Sequence, residues 1–235
     1  SIDFPEACRR LSSNATPSPK PIAQTELKKP PPRITFAPPE DAPPAPLKHK
    51  QLGEPHATWI YRDEAGRLLG YVCRWNTPDS KKEYRCITWG QQGTAPASWE
   101  KRHFHDANGQ RPIYGLDRLA QDPNKQILIC EGEKAADAAQ ALFPNLTAIS
   151  WPGGSQSYSK TDWTPLTSRK VVLWPDNDEP GIICMARLAA LLQPICAEVK
   201  GIKVNDMPEG WDAADWDHDN QPEPMAWAKP RVFTY

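Results

Sequence analysis

The fold of this chain is decided by Gln126-Ile127-Leu128-Ile129-Cys130-Glu131-Gly132 and by a second stretch, Lys170-Val171-Val172-Leu173-Trp174-Pro175-Asp176-Asn177-Asp178-Glu179-Pro180-Gly181. In each stretch, a short apolar run ends on acidic residues at the point where a helix is predicted to begin. Short apolar strands that alternate with helices are typical of a parallel sheet with right-handed crossovers. Ligands of such sheets lie beyond the carboxyl ends of the strands. We therefore expect Glu131, Asp176 and Asp178 to share one edge of the sheet.

The same alternation continues through the C-terminal half of the chain. Strands are predicted over 126–130, 146–150, 170–174 and 196–202, and helices over 133–143 and 181–192. On the second helix, Met185, Leu188 and Leu192 share one face, which indicates a helix packed on a sheet. We assign residues 123–219 to an α/β domain and residues 220–235 to a C-terminal tail or helix.

A different pattern occupies residues 53–122, for which we predict a small β-rich subdomain. Strands predicted over 57–61, 68–75 and 84–89 are separated by polar turns. One turn places Gly66 where a positive φ is needed. These features favour an antiparallel meander, which a basic loop follows.

Proline dominates residues 13–52. Because proline lacks an amide donor and favours extended backbone, we interpret this segment as a semi-rigid, disordered linker. Residues 1–12 carry a short helical pattern, which we interpret as the tail of a possible upstream element. A linker of this length implies a neighbour before it.

The composition restricts the class of protein. The chain of 235 residues has a formal net charge of −1, and its mean hydropathy is −0.67. No apolar run approaches the roughly 18 residues that a membrane span needs, and the first residues do not form a signal peptide. A near-neutral charge argues against a dedicated duplex-binding module, although an enzyme that visits DNA stays possible.

The six cysteines show no Cys-x-x-Cys pair and no histidine at zinc-finger spacing. Several lie in apolar runs, where a free thiol behaves as a small hydrophobe. We expect reduced thiols and a cytoplasmic protein. A pairing of Cys73 with Cys86 across a hairpin is a minor alternative.

Acidic residues at strand ends suit a metal ion. Mg²⁺ prefers a few carboxylate oxygens together with water and substrate phosphate. Asp176 and Asp178 lie two apart in extended backbone and can share one ion, while Glu131 can complete the site or act as a general acid or base. Each signal alone has a plainer interpretation, because an acidic residue before a helix is commonly an N-cap. Together they favour phosphoryl chemistry on nucleotides or nucleic acid.

The two acidic stretches resemble the TOPRIM domain. The resemblance rests on Cys130-Glu131-Gly132-Glu133-Lys134 and on Trp174-Pro175-Asp176-Asn177-Asp178-Glu179-Pro180-Gly181. This domain is shared by DnaG-like primases, type IA and type II topoisomerases, recombination-repair proteins and certain nucleases. Its pattern is a glutamate-glycine pair after the first strand and Asp-x-Asp-x-x-Gly after a later strand, and all of these positions are present.

The β-rich subdomain resembles the one that precedes TOPRIM in DnaG-like primases. Similar motifs occur in the same order, at Asp63-Glu64-Ala65-Gly66-Arg67, Gly70-Tyr71-Val72-Cys73-Arg74, Lys82-Glu83-Tyr84-Arg85 and Ile113-Tyr114-Gly115-Leu116. The resemblance covers about residues 57–219. The overall pattern, including Gly210-Trp211-Asp212-Ala213-Ala214-Asp215, is similar to primase and primase–helicase proteins of phages and plasmids.

This resemblance implies the catalytic core of a DNA primase, a DNA-directed RNA polymerase that makes RNA primers on single-stranded DNA during mobile-element replication. It implies Mg²⁺ or Mn²⁺ as the cofactor, ribonucleoside triphosphates as substrates, and a helicase or zinc-binding domain, in the same or another chain, as partner. The implied catalytic and metal-binding residues are Glu131, Asp176, Asp178 and, for the metal, Asp212; the implied template- or nucleotide-binding residues are Arg74, Lys82, Arg85 and Lys134.

The chain departs from this family at several points. Ala135 stands where the family often has an aspartate, and Asp137 follows two positions later. The zinc-binding domain of primases and a Gly-x-x-x-x-Gly-Lys phosphate loop are both absent from the sequence. Two alternatives therefore stay open. One is a TOPRIM nuclease, and the other is an inactive TOPRIM-like module that binds replication machinery, which the proline-rich arm and near-neutral charge would suit.

Overall fold

The computed structural model describes residues 31–235, which form an antiparallel sheet followed by a mostly parallel one. The predictions for residues 1–30 fall outside this range. The α/β fold class, with an antiparallel β-rich part before a parallel sheet, is confirmed. This order follows from the change of sequence pattern after residue 122, where alternating strands give way to apolar strands separated by helices.

The antiparallel sheet is a meander with an added edge strand. Its strands are β1 (Arg33–Thr35), β2 (Ala57–Arg62), β3 (Leu68–Asn76), β4 (Lys82–Gln92) and β5 (Ser98–Glu100). Their order is β1-β4-β3-β2, and β5 also pairs with β4. The turn between β2 and β3 contains Gly66 at a φ of 77°, so the predicted turn is confirmed.

The second sheet follows a short helix. The elements are α1 (Leu116–Gln121), β6 (Ile127–Cys130), α2 (Glu133–Leu142), β7 (Thr147–Ile149), β8 (Lys170–Trp174), α3 (Glu179–Leu192), β9 (Glu198–Ile202), α4 (Pro224–Ala228) and β10 (Val232–Thr234). The strand order is β10-β9-β8-β6-β7. Strands β6 to β9 are mutually parallel, and β10 pairs antiparallel with β9. The segment that we predicted to be a C-terminal tail or helix therefore also supplies an edge strand.

The parallel strands are buried on both faces, as sheets covered by helices on both sides require. Leu128 and Val172 point towards α2, whereas Ile129 and Leu173 point towards α3. This alternation makes adjacent residues of one strand part of two different cores. A cluster of tryptophans closes the α2 side near the C-terminus and comprises Trp174, Trp211, Trp216 and Trp227.

The described part of the proline-rich segment is not a free linker. Residues 33–35 form β1, and Arg33 is buried, with its guanidinium donating to Thr88 Oγ1, to the Thr88 carbonyl and to the Ser98 carbonyl. Further along, Leu47 and Leu52 pack against the buried face of β3 and β4. The linker interpretation fails over these residues because proline-rich composition describes local backbone preference and carries no information about tertiary contacts.

The cysteines of the hairpin do not face each other. Cys73 lies opposite Arg85, and Cys86 lies opposite Val72, so the two side chains project from opposite faces of the sheet. Both are free and buried. Across residues 31–235, none of the helices combines the length and the apolar character needed to traverse a bilayer.

Candidate active site

A cavity of about 710 Å³ lies between the antiparallel sheet and the carboxyl edge of the parallel sheet. One wall carries carboxylates, and the other carries basic and aromatic side chains. The acidic lining residues are Glu131, Glu133, Asp176 and Asp212, and the basic ones are Arg74, Lys82, Arg85, Lys101, Arg102, His103 and Lys134. The cavity thus collects almost every site residue that the sequence indicated.

Glu131 and Asp176 meet because their strands are neighbours. Cys130 at the end of β6 is paired with Trp174 at the end of β8, so the residues that follow leave the sheet at the same edge. Gly132 next to Glu131 has a φ of 87°, and a Cβ there would meet nothing within 4 Å. This glycine permits the left-handed backbone at the start of α2 and leaves the backbone open beside the carboxylate.

The acidic edge holds like charges close together in a partly buried place. Burial, followed by the nearby carboxylates of Glu131, Asp212 and Asp178, raises the pKa of Asp176 to about 8. Burial, followed by the charge of Asp178, also raises the pKa of Glu131, while the nearby polar groups of Ser155 oppose this rise. Glu131 Oε2 is buried without a hydrogen-bond partner. Such a site is destabilised unless positive charge approaches it.

Asp178 and Asp212 also have structural tasks. Asp178 Oδ1 accepts a hydrogen bond of 2.6 Å from the Gly181 amide and so caps α3. Asp178 is close enough to raise the pKa of Asp176 but does not line the cavity. Asp212 lines the cavity and caps the short turn that follows, with Asp215 closing a capping box. The capping interpretation left open by the sequence is therefore correct for Asp178.

The acidic edge fits a hard divalent cation in chemistry but is not a closed ligand cage. Within the described range 31–235, no group of three or more His, Cys, Asp or Glu side chains converges closely enough to hold a metal ion. The unpaired Glu131 oxygen and the raised pKa of Asp176 are nevertheless features that a bound cation would relieve. Carboxylate oxygens are also the ligands that Mg²⁺ prefers, usually with water and phosphate completing the shell.

The basic wall comes mainly from β3 and β4. Arg74 is half-buried and its Nε has no hydrogen-bond partner, whereas Arg85 is paired with Glu83. Lys82 is exposed at the start of β4. Lys134, on the first turn of α2, has its Nζ 3.9 Å from Asp215 Oδ1. All of the predicted binding residues line the same cavity as the carboxylates. Arg85 lies opposite Cys73, so its side chain leaves the sheet on the other face from that of Arg74.

An aromatic pair on this wall was missed in the sequence. The Tyr84 ring stacks on the Trp59 ring, with centroids 6.3 Å apart and an interplanar angle of 17°. Trp59 is buried, but Tyr84 is 52% exposed. Trp59 and Tyr84 lie on either side of β3, opposite Val72 and Arg74. Strand alternation places Val72 and Arg74 on one face, so the pairing of the strands, once known, would have indicated this pair.

A buried carboxylate joins the two sheets. Glu133, at the start of α2, accepts a 2.7 Å hydrogen bond from the Tyr61 hydroxyl of β2. Burial raises the pKa of Glu133 to about 7 even though the bond from Tyr61 lowers it. Asp137, in the same helix, pairs instead with Arg118 and Tyr114, outside the acidic edge. The aspartate displaced from its usual position in the resembling family therefore does not join the site.

A loop after β7 forms the cavity wall next to the acids. Gly153 and Gly154 line it, with φ values of 98° and 70°. Beneath the loop lies Arg111, whose Nη1 donates to the Pro152 carbonyl at 3.1 Å. The sequence offered the Gly-Gly pair as a signal for this loop but nothing that would connect it to Arg111.

A protein family matches a range of this chain that includes residues from both walls of the cavity. The family described as a domain of unknown function, DUF6371, matches residues 56–177. This range begins one residue before β2 and ends one residue after Asp176. No curated protein matches the sequence.

Solved structures of similar fold are primase catalytic cores. One is the DnaG catalytic core, with a TM-score of 0.51 at 17% identity over 81% of this chain and 58% of that chain. Another is a DNA primase domain from Pseudomonas aeruginosa, with a TM-score of 0.51 at 17% identity over 80% of this chain and 56% of that chain. The chain thus spans less than three fifths of either structure. At this identity the likeness is one of fold.

Proposed function

This chain belongs to the DUF6371 family of domains of unknown function, and we propose that it is the catalytic core of a DNA primase with a TOPRIM-type site. It would join ribonucleotides on a single-stranded DNA template during the replication of a mobile element. The single observation that carries this proposal is the cavity with an acidic edge on one wall and a basic, aromatic wall opposite. The likeness of fold to primase cores supports it.

The acidic edge is assigned to a divalent cation. Glu131, Asp176 and Asp212 would hold Mg²⁺ or Mn²⁺, with Asp178 contributing the oxygen that does not cap α3. When bound, such an ion neutralises charge that develops on the phosphates during nucleotidyl transfer. The carboxylates themselves supply charge at a fixed edge, and the partial burial of Asp176 limits competition from water.

The basic wall is assigned to phosphates. Arg74 has an unpaired buried Nε, and Lys82 is exposed beside it on the next strand. Together with Arg85 and Lys134 they can contact template phosphates or an incoming triphosphate. The exposed face of Tyr84 lies among these cations, and base stacking on aromatic rings is a common way to hold single strands.

The proposed partners follow from the resemblance to primases and primase–helicase proteins. Start-site selection in the resembling family needs a zinc-binding domain, and strand separation needs a helicase. We propose that one of these acts with this chain, in the same or another polypeptide, in the cytoplasm. A neutral overall charge is consistent with a core that is brought to DNA by such a partner.

Extension of an annealed RNA primer tests the proposal, because a pre-formed primer removes the need for start-site selection. The reaction contains a single-stranded DNA template, ribonucleoside triphosphates and Mg²⁺. We expect extension by the wild-type protein and a loss of at least about 100-fold in Asp176→Asn, equivalent to about 2.7 kcal/mol in the barrier. Asp122→Asn is the matched control, since Asp122 pairs with Lys125 far from the cavity.

Each result has a defined meaning. Equal extension by wild type and Asp176→Asn would show that the metal assignment is wrong. Cleavage of the template without added nucleotides would indicate a nuclease with the same site instead of a primase. Binding of single-stranded DNA with neither extension nor nicking would favour the inactive binding module.

A further inference from the structure

We propose that buried Arg111 and the loop of residues 152–157 form a phosphate-binding subsite at the edge of the cavity. The site would take a polyphosphate group. That this group belongs to the incoming nucleotide rests on the proposed function, whereas the phosphate site itself rests only on the contacts described below.

Arg111 is a buried cation without a counter-ion. It is 5% exposed, and within residues 31–235 no carboxylate forms an ion pair with it. Its Nη1 donates to the Pro152 carbonyl, while its buried Nε has no hydrogen-bond partner. Burial lowers the pKa of Arg111, but a guanidinium stays protonated in proteins. Burying an unpaired charge costs several kcal/mol, so an arginine kept here calls for an anion.

The guanidinium lies directly beneath the cavity wall. A Cβ built on Gly153 would be 2.6 Å from Arg111 Nη1 and 2.9 Å from Ser157 Oγ. Gly153 lines the cavity, as do Cys86 and His103. Burial raises the pKa of the Cys86 thiol, and the charge of Arg111 opposes this rise. Burial lowers the pKa of His103, and the charge of Arg111 lowers it further. One glycine backbone therefore separates the buried cation from the cavity.

The loop presents backbone donors above this cation. The Gly154 carbonyl accepts from the Trp151 indole and from the Ser157 amide. Within the described residues, neither the Gly153 nor the Gly154 amide donates a hydrogen bond. Consecutive amides in turn conformations form concave anion sites. A positive φ at both glycines and open space beside Gly154 allow a ligand to approach closely.

The far end of the loop touches the acidic edge. Ser155 lies close enough to Glu131 to oppose the rise of its pKa, so this end of the loop lies beside the carboxylates at the end of β6. A phosphate bound to the Gly153–Gly154 amides would then lie beside Glu131, between Arg111 and the carboxylates that we propose bind the metal ion. The β- and γ-phosphates of an incoming nucleotide would bind here and leave as pyrophosphate when the 3′-hydroxyl of the primer attacks the α-phosphate. Arg111 is a positioning residue in this arrangement, because the loop lies between it and the ligand.

Tripolyphosphate is the probe that tests the subsite. Its affinity is measured by calorimetry for the full chain in Mg²⁺ buffer, without nucleic acid. We expect Arg111→Met to bind at least tenfold more weakly than wild type and Arg111→Lys to recover part of that loss. Lys170→Met is the matched control, because it removes an exposed positive charge at the opposite, amino-terminal end of β8, and its affinity should stay within threefold of wild type.

A second measurement uses the wild type and so does not depend on the folding of a variant. Hydrogen exchange of the peptide over residues 152–157 should slow when tripolyphosphate is added. Unchanged exchange, or equal affinity in Arg111→Met and wild type, overturns the subsite. If tripolyphosphate binding depends on Arg111 but the protein never extends primers, the subsite is supported and the primase proposal is wrong. If the protein extends primers but tripolyphosphate binding does not depend on Arg111, the primase proposal is supported and the subsite is wrong.

Discussion

The two walls of the cavity are charged by different means. Asp176 and Glu131 are held at strand ends, half-buried and close to other carboxylates, so their repulsion is set by the backbone. Lys82 and Arg85 stand on the surface of an antiparallel strand, where solvent surrounds much of each side chain. A half-buried charge held near other like charges therefore destabilises the folded protein more than a charge that solvent surrounds. A substitution on the acidic wall should change both stability and activity, and one on the basic wall should change mainly binding.

The largest effect on stability should come from Asp176→Asn. The pKa of Asp176 is about 8 in the folded protein against an ordinary 3.8, so the folded state holds this proton more tightly than the unfolded state. Its contribution is therefore full below pH 4 and is lost as the pH rises towards 8. After discounting for partial exposure, we expect Asp176→Asn to gain roughly 1–3 kcal/mol over wild type between pH 5 and pH 8.

Thermal unfolding at several pH values measures this difference. Added Mg²⁺ should raise the melting temperature of the wild type at pH 8 and have little effect on the variant, because a ligand stabilises only the state that binds it. Asp122→Asn serves again as the control. Parallel curves of stability against pH for wild type and Asp176→Asn would contradict this contrast between the two walls. They would mean that repulsion among the carboxylates does not destabilise the folded protein.

An intermediate effect is expected for Tyr61→Phe, which removes the hydrogen bond to Glu133. The buried carboxylate would keep its position but lose its donor, at a cost of about 1–2 kcal/mol. Tyr71→Phe is the matched control, since Tyr71 is half-buried on the neighbouring strand and its ring packs beside Trp99. Denaturant unfolding should separate the two variants. Similar losses would indicate that the bond between the sheets contributes no more than an ordinary hydroxyl.

The smallest effect should be that of Lys82→Met, on the basic wall. Its stability should stay within about 0.5 kcal/mol of wild type, as for most surface changes. Affinity for a single-stranded oligonucleotide should fall severalfold at low salt, and the salt dependence should weaken by about 0.7 in logarithmic slope for each lost phosphate contact. Fluorescence anisotropy across a salt series measures both quantities, with Lys170→Met as the control. An unchanged slope would mean that the basic wall does not bind phosphate.

Much of the site was predictable because it depends on local pattern. Glu131 and Asp176 each end an apolar run, and parallel neighbours bring their ends to one edge whatever the loops do. The same local information could not decide between capping and ligation for Asp178, because an aspartate before a helix is suited to both. It also assigned residues 33–52 to a linker, although Arg33 is bonded to β4 and to the start of β5.

By itself, the sequence determined the order of the two sheets and the acidic edge, since periodicity and strand ends are properties of neighbouring residues, while the resemblance to primases indicated the basic side chains opposite that edge. Only the tertiary structure decided that Arg111 lies under Gly153, that Tyr61 holds Glu133 and that Asp176 loses its proton near pH 8. Burial and electrostatic repulsion depend on which distant residues are packed together, and no spacing along the chain records that.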